Sequence, residues 1–463
     1  MKTLALALRN LLRNRRRSLT TVLAMIVGAQ TVLLFGGYSR NITYGLQTDF
    51  VQSGGHLQIQ RQGYFLYGAG NPAVYGIANY ADVIAAVKRD SVLAPMVTVV
   101  TPTLQVGGIA GNFAAGVSRT VFARGLVVED ANQMRLWNDY GFPLNPRPSP
   151  LTGTSADSAV IGTGVARVLQ LCGPLQVKNC PQPRATTDGA AGKTLPADIA
   201  ALAAAEQPPG SAGGDARIEL LAATAGGAPN VAALNVVKAV SIGVKELDDV
   251  FVALHLSQAQ RLVYGNQTPR ATAIVLQLTH TRQIPAAKAR LEELLATAFK
   301  DQPLEVLDYE TLNPFYGQAI AMFATIFGFI AVLIGAIVLF TVSNTMSMAV
   351  VERTTEIGTL RAIGLRRSGI RRLFVWEGLL LGVIGAALGV VIAIGVASLV
   401  NRSGLTWTPP GRGDAVPLTI RVWGETRLIV GTMIGLVLVA VVSAWWPARR
   451  AARMNIVDAL RHV

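Results

Sequence analysis

Four histidines, two cysteines and one Gly-Lys-Thr run are the residues from which this chain could build chemistry, and none falls in a working pattern. His56, His255, His280 and His462 stand alone, without the H-E-x-x-H spacing that puts two imidazoles on one helix face. They read as structural or surface histidines. GAAGKT (189–194) ends as a phosphate-binding loop ends. That loop needs G-x-x-x-x-G-K-[ST], and the position for its first glycine is held by Thr187, with no strand leading in. No G-x-S-x-G nucleophile turn occurs. Cys172 and Cys180 are separated by a short loop, CGPLQVKNC. In an oxidising compartment they would form a local disulfide; two free thiols are the alternative. The chain therefore reads as no enzyme: it carries no ATPase motif and no metal site.

The residues that do cluster are charged. Residues 352–378 read ERTTEIGTLRAIGLRRSGIRRLFVWEG, with six arginines and long apolar runs on both sides. Helix formers dominate, interrupted by Gly358, Gly364 and Gly369, which allow a bent or broken helical path. Ile357, Leu360, Ile363 and Leu365 give it apolar contacts. A charge anchor alone needs only a few arginines. An ordered amphipathic element of this length points to a partner surface.

Long apolar elements must hold that insert. Only 15% of the 463 residues are charged and 51% are hydrophobic, against about 25% charged in a soluble domain. Uncharged windows at 18–39, 311–351, 378–401 and 428–448 each reach the length of about 20 residues that a bilayer requires. The net charge of +14 is uneven. Residues 1–17 hold one lysine and five arginines with no acid, and the tail after 448 is also basic. Segment 41–315 is nearly balanced, with 20 basic and 21 acidic residues. Lys and Arg gather on the cytoplasmic side. That puts both termini and the 352–373 loop in the cytoplasm, and 41–315 outside, although the external loop 402–427 carries four arginines of its own. The basic excess then reports topology and anionic lipid, not nucleic acid. Leu4, Leu8, Leu11 and Leu12 share one helical face, so 1–17 reads as an interfacial amphipathic helix. The apolar run behind it is too long for a signal peptide and lacks a cleavage site.

The resulting fold class is an α-helical membrane protein with four transmembrane helices and a large α+β extracytoplasmic, periplasmic domain inserted between helices 1 and 2. The spans are 18–40, 316–351 with a periplasmic stalk, 374–401 and 428–448; the tail is 449–463. As one helix, 311–351 would run about 60 Å, twice the hydrocarbon thickness of about 30 Å, and Pro314 suits its start. In the external domain, 54–63, 96–108, 236–244 and 271–279 read as strands. Residues 80–90, 245–263 and 285–299 read as helices. About 181–216 turns to Ala, Gly, Pro and Thr and reads as a flexible insert.

Two further features belong to the spans. Gly378/Gly382, Gly385/Gly389 and Gly431/Gly435 are each four apart, a spacing that lets helix backbones approach within the four-helix unit or against a second copy. The general abundance of glycine in membrane helices is the other explanation. Glu377, at the mouth of the third span, needs a partner or water; Arg371 or Arg372 would serve, or it sits at headgroup level without a special role.

The 352–378 insert followed by LLLGVIGAALGVVIAIG resembles the cytoplasmic loop and third span of FtsX-like ABC-transporter permeases, the family of the macrolide-exporter and lipoprotein-releasing permeases. RNLLRNRRRSLTTVLAMIVG (9–28) and PARRAARMNIVDALR (447–461) resemble its opening and closing motifs; GGHLQIQRQGY (54–64) and DDVFVALHLSQAQRLV (248–263) match more loosely. The resemblance implies a bacterial inner-membrane protein. Two permease chains, identical or homologous, would sit on a separate dimeric ATPase that binds ATP and Mg. Glu352, Arg353, Glu356, Ile357, Gly358, Leu360, Arg361, Ala362, Ile363, Gly364 and Leu365 would dock on that ATPase. The ATP-driven motion would pass along the second helix to the external domain (mechanotransmission). Extraction or export of an envelope substrate follows, lipoproteins among the candidates. The family's alternatives are a tripartite efflux permease, which would add a periplasmic adaptor, and a non-transporting regulator of cell-wall hydrolases.

Overall fold

The computed structural model describes residues 2–68, 70–142, 146–178, 180, 216–408 and 415–455. The insert read over 181–216 lies outside the described residues but for Ala216, as do the GAAGKT run, His462 and the end of the closing motif. The chain divides into two units: residues 1–46, 315–407 and 416–463 form one, and 47–314 with 408–415 form the other.

The first unit is helical. After α1 (Lys2–Arg13), four helices are long and apolar enough to cross a membrane: α2 (Arg15–Gly54), and, after the second unit, Pro314–Glu352, Arg367–Arg402 and Thr426–Arg453. The second starts at Pro314, whose missing N–H costs nothing at a first helical position. The first runs 14 residues past the span read as 18–40, because nothing in RNITYGLQTDFVQSG breaks a helix before Gly54 and Gly55, the latter with φ +74°. The last continues past the expected end at 448 to Arg453: although Pro447 lies inside it, Ala448, Ala451 and Ala452 bury against the bundle and hold the extra turn. The bundle core joins Met25 and Ala29 to Val338, Val342, Met346, Phe374, Ala440 and Ala444. α1 buries Ala7 and leaves Leu4, Leu8 and Leu12 exposed, a free apolar face.

Glycine sets the spacing of the helix Arg367–Arg402 against two neighbours. A Cβ on Gly378 would stand 2.6 Å from the Ala444 Cβ, and one on Gly382 3.1 Å from the Ala440 Cβ. Gly385 and Gly389 meet the other neighbour, at 2.6 Å from Met25 and 2.4 Å from Ala29. The helix Arg367–Arg402 thus takes one partner on each glycine pair. Gly431 and Gly435 face nothing within 4 Å, so that pair does not pack against any of the described residues.

The second unit is α+β. Its strands are β1 (Leu57–Arg61), β2 (Val97–Asn112), β3 (Val117–Leu126), β4 (Ser158–Gly162), β5 (Arg217–Ala223), β6 (Pro229–Val240), β7 (Phe251–His255), β8 (Ala273–Leu278) and β9 (Leu304–Asp308). They form one mixed sheet in the order β3-β7-β4-β6-β5-β2-β8-β1-β9, and β2 also pairs with β3. The sixteen residues of β2 make this possible: they pair along one edge with β8 and then β5, and along the other with β3. Six strands therefore close on themselves around Leu104, Val121, Ile161, Leu220, Leu234 and Val252. The β8-β1-β9 wing is covered on one face by the helices Tyr80–Arg89 and Ile284–Ala298, which bury Val83, Val87, Leu291 and Leu295 against Leu57, Ile59 and Ile274. Cys172 and Cys180 are joined by a disulfide, with Cα atoms 6.3 Å apart.

The helix expected over 245–263 is three elements: a turn at Lys245–Asp248, strand β7 and a helix at Leu256–Tyr264. Two constraints override the helical pattern. Val252 and Leu254 alternate into the core while β7 pairs with β3 and β4. Asp248 stops the first turn by accepting the backbone N–H of Gly164 (2.9 Å), of Thr163 (3.1 Å) and of Ile242 (3.2 Å). A Cβ on Gly162 would collide with the Asp248 carbonyl at 2.0 Å, so that close approach requires glycine.

Candidate functional site

The charged insert folds as a helix, a tight turn and the start of the third long helix. Thr354–Ala362 is helical, and Gly364 follows with φ +104°. The Leu365 N–H reaches the Leu360 carbonyl (3.0 Å) and the Gly364 N–H reaches that of Arg361 (3.1 Å). That is a Schellman pair, which satisfies the last carbonyls and needs a positive φ at the glycine. The chain then re-enters a helix at Arg367. Glycine spacing in the sequence therefore marks a real break.

The eleven residues predicted to act here separate into two groups. Arg353, Ile357 and Gly358 are buried in the bundle. Glu352, Glu356, Leu360, Ala362, Ile363, Gly364 and Leu365 are exposed, and Arg361 is half-buried with its guanidinium on the Met454 carbonyl. Ile363 is 80% exposed, extreme for an isoleucine on an ordered helix end, and Leu360 and Leu365 flank it. Glu352 and Glu356 are tied within the chain. Arg17 donates to Glu352 (2.6 Å from Nη1) and Arg13 to Glu356 (2.5 Å). Pairs this exposed are screened by water and add little stability, so they orient the insert more than they stabilise it.

A buried network holds the root of the insert. Arg353 Nη1 donates to Glu377 Oε1 at 3.0 Å and Nη2 to the Asn10 carbonyl at 3.3 Å. Asn10 Nδ2 donates to the same Glu377 oxygen at 2.7 Å. The side chains of Arg353 and Glu377 are 8% and 3% exposed. The partner of Glu377 is therefore Arg353. Arg371 lies elsewhere, over the Trp445 ring at 5.1 Å. Arg371 and Arg372 are nearer in sequence, but at more than one helical turn before Glu377 they point around the helix from it, while the end of the preceding helix brings Arg353 to it. Asn10 was not foreseen. Its signal is a short amide in LALRNLLRN on the face that also carries Ala7 and Leu11, where a leucine would otherwise sit.

Among the described residues no group of three His, Cys, Asp or Glu could hold a metal ion. What the insert presents is an apolar tip on a short helix, rooted by the Arg353–Glu377 ion pair and by the Asn10 hydrogen bonds that tie this pair to α1.

Residues 320–456 match the FtsX-like permease C-terminal family. An uncharacterized ABC transporter permease of Methanocaldococcus jannaschii is 29% identical over 221 residues, 46% of this chain and 51% of that protein. The lipoprotein-releasing system transmembrane protein LolC of Neisseria meningitidis is 29% identical over 248 residues, 51% of this chain and 57% of that protein. The macrolide export ATP-binding/permease protein MacB of Psychrobacter cryohalolentis is 27% identical over 175 residues, 38% of this chain and 24% of that protein. The chain thus spans less than two thirds of the length of each of these relatives. The matched stretch contains the helix–turn–helix with the apolar tip and three of the four apolar helices, so the C-terminal part of this chain is similar to the FtsX-like permease C-terminal domain.

Proposed function

We propose that the chain is the permease subunit of an ABC transporter of the inner membrane, worked by ATP and Mg on a separate dimeric ATPase. The observation that carries this is the exposed Leu360–Ile363–Leu365 tip on the rooted Thr354–Ala362 helix. An apolar knob this exposed, among arginines, suits insertion into a groove of a partner. The termini and the tip lie in the cytoplasm and the α+β unit in the periplasm, as the basic flanks favour. A second permease chain completes the assembly. Supporting this, the apolar window of the helix Pro314–Glu352 is only 6% buried, against 44% in α2, and Gly431 and Gly435 have an open face.

The α+β unit then moves with the ATPase cycle and acts on an envelope substrate. The likeness to LolC, longer than that to MacB, favours lipoprotein extraction over efflux. The test is co-purification from native membranes. Leu360→Asp/Ile363→Asp alters only exposed side chains, so the variant folds like the parent but loses the ATPase. Retention of an ATPase by the folded double variant refutes the docking role. Co-purification of no ATPase with the parent chain refutes the permease reading itself.

A further inference from the structure

One face of the β1-β8-β2-β3 region packs its apolar residues under helices. The opposite face is polar by register. Thr103 pairs with Ala273 and Ala273 with Gln60; Gln105 pairs with Arg124. Residues two apart on a strand share a face, so Gln58, Gln60, Thr103, Gln105 and Arg124 all lie on this one. It is not open to solvent as a polar sheet face ordinarily is: Gln60 and Thr103 are 3% and 6% exposed. Tyr64, Phe65, Phe50 and Leu312 wall it, leaving a cavity of about 330 Å³ wholly within the α+β unit. Small-ligand sites begin at about 300 Å³.

The hydrogen bonds inside are incomplete in a specific way. Arg124 Nε donates to Thr103 Oγ1 at 3.2 Å. Its two terminal nitrogens find no acceptor among the described residues, and no Asp or Glu lines the cavity. Arg124 is half-buried, and partial burial pushes its guanidinium down from its ordinary range, as expected of a cation partly withdrawn from solvent with no carboxylate beside it. Tyr64 is already committed, donating to Gln105 Oε1 at 2.6 Å. Gln60 Nε2 donates to Gln58 Oε1 at 2.9 Å, which leaves Gln60 Oε1 buried with no donor. A half-buried cation without an anion beside it and a buried acceptor without a donor both leave room for a ligand that supplies them.

We propose that this cavity binds a small phosphate- or carboxylate-bearing ligand that also carries a hydroxyl or amino group, its anionic oxygens on Arg124 and its donor on Gln60 Oε1. Arginine presents its two terminal nitrogens as a fork that matches such an anion. Phe50, Phe65 and Leu312 fit a short carbon skeleton between the two polar ends. A free solute or a lipid headgroup has this chemistry.

Calorimetric titration of the full chain in maltoside, with glycerol 3-phosphate, inorganic phosphate and a short-chain phosphatidylglycerol below its micellar concentration, tests this. Glycerol 3-phosphate is expected to bind saturably, about 10-fold tighter than inorganic phosphate because of the added donor. Arg124→Gln should abolish binding of both. Gln60→Leu should reduce glycerol 3-phosphate to the level of phosphate. Tighter binding of the phosphatidylglycerol identifies a headgroup site, and weaker binding a free-anion site; either supports the proposal. Should Arg124→Gln not fold, Gln60→Leu with Arg124→Lys carries the test. Absence of saturable anion binding to the parent chain overturns the proposal. So does unchanged glycerol 3-phosphate binding in folded Arg124→Gln or Gln60→Leu.

Discussion

Breaking the Arg353–Glu377 pair should be worse than removing it. Both side chains are almost wholly buried, and the carboxylate also takes the Asn10 amide. Arg353→Met leaves a buried carboxylate with one neutral donor; Glu377→Met leaves a buried guanidinium with one backbone acceptor. Removing one member of a buried pair costs about 3–5 kcal/mol. In the double variant Arg353→Met/Glu377→Met no charge is stranded, and Met adapts to the space. The remaining loss is the Asn10 amide, half-buried and able to reach water, at about 1 kcal/mol. The double variant should therefore be more stable than either single one, with a coupling of several kcal/mol. Reversible unfolding in mixed detergent–SDS micelles measures all four corners of the cycle. Additive costs, with the double variant the least stable, would refute the assignment of this pair as the root of the insert. The same double variant should lose ATPase coupling if the pair sets the angle of the Thr354–Ala362 helix, since the apolar tip is left unaltered.

Gly389→Ala should destabilise the bundle by about 1–3 kcal/mol, because its methyl would stand 2.4 Å from that of Ala29; Gly435→Ala, with nothing within 4 Å, should be neutral. Equal thermal stability of the two variants would show that the glycine pairs do not set helix spacing. Gly364→Ala meets no atom but must adopt φ +104°, so it should cost about 1–2 kcal/mol through the backbone alone. Asn in its place should recover part of that, as read by thermal unfolding. His56 is buried beside Trp137 and accepts the Leu278 N–H on Nδ1 at 2.9 Å, and burial holds it down to about 4. The unfolded chain binds the proton first, so stability is full above about 6.5 and falls as pH drops toward about 4, by roughly 3 kcal/mol at about 1.4 per unit. His56→Asn, which keeps an acceptor, should flatten that part of the pH profile; an unchanged acid slope would contradict it.

What could be read from residues alone follows from locality. The charged insert declared its own break because Schellman geometry uses only residues 360–365, and glycine is the residue that tolerates it. Two glycine pairs on the third long helix found neighbours since a small-residue stripe advertises a groove, yet the same stripe at Gly431/Gly435 does not say whose helix fills it. The Asn10–Arg353–Glu377 network was out of reach for the opposite reason: Asn10 lies 343 and 367 residues from its two partners, and only the packing of α1 and two long helices brings them together.

The α+β unit shows the limit most clearly. Alternation in LQIQR gives a strand at Leu57–Arg61, with Leu57 and Ile59 in the core. The same alternation would ordinarily assign Gln58 and Gln60 to solvent. Here the ends of neighbouring elements close over that face, and a glutamine, a threonine and an arginine become cavity lining. A periodic pattern specifies which face a residue takes but not what covers it. Coverage is a tertiary outcome, so the polar face of β1 gains its binding chemistry only when β2, β3 and β8 are in register beside it.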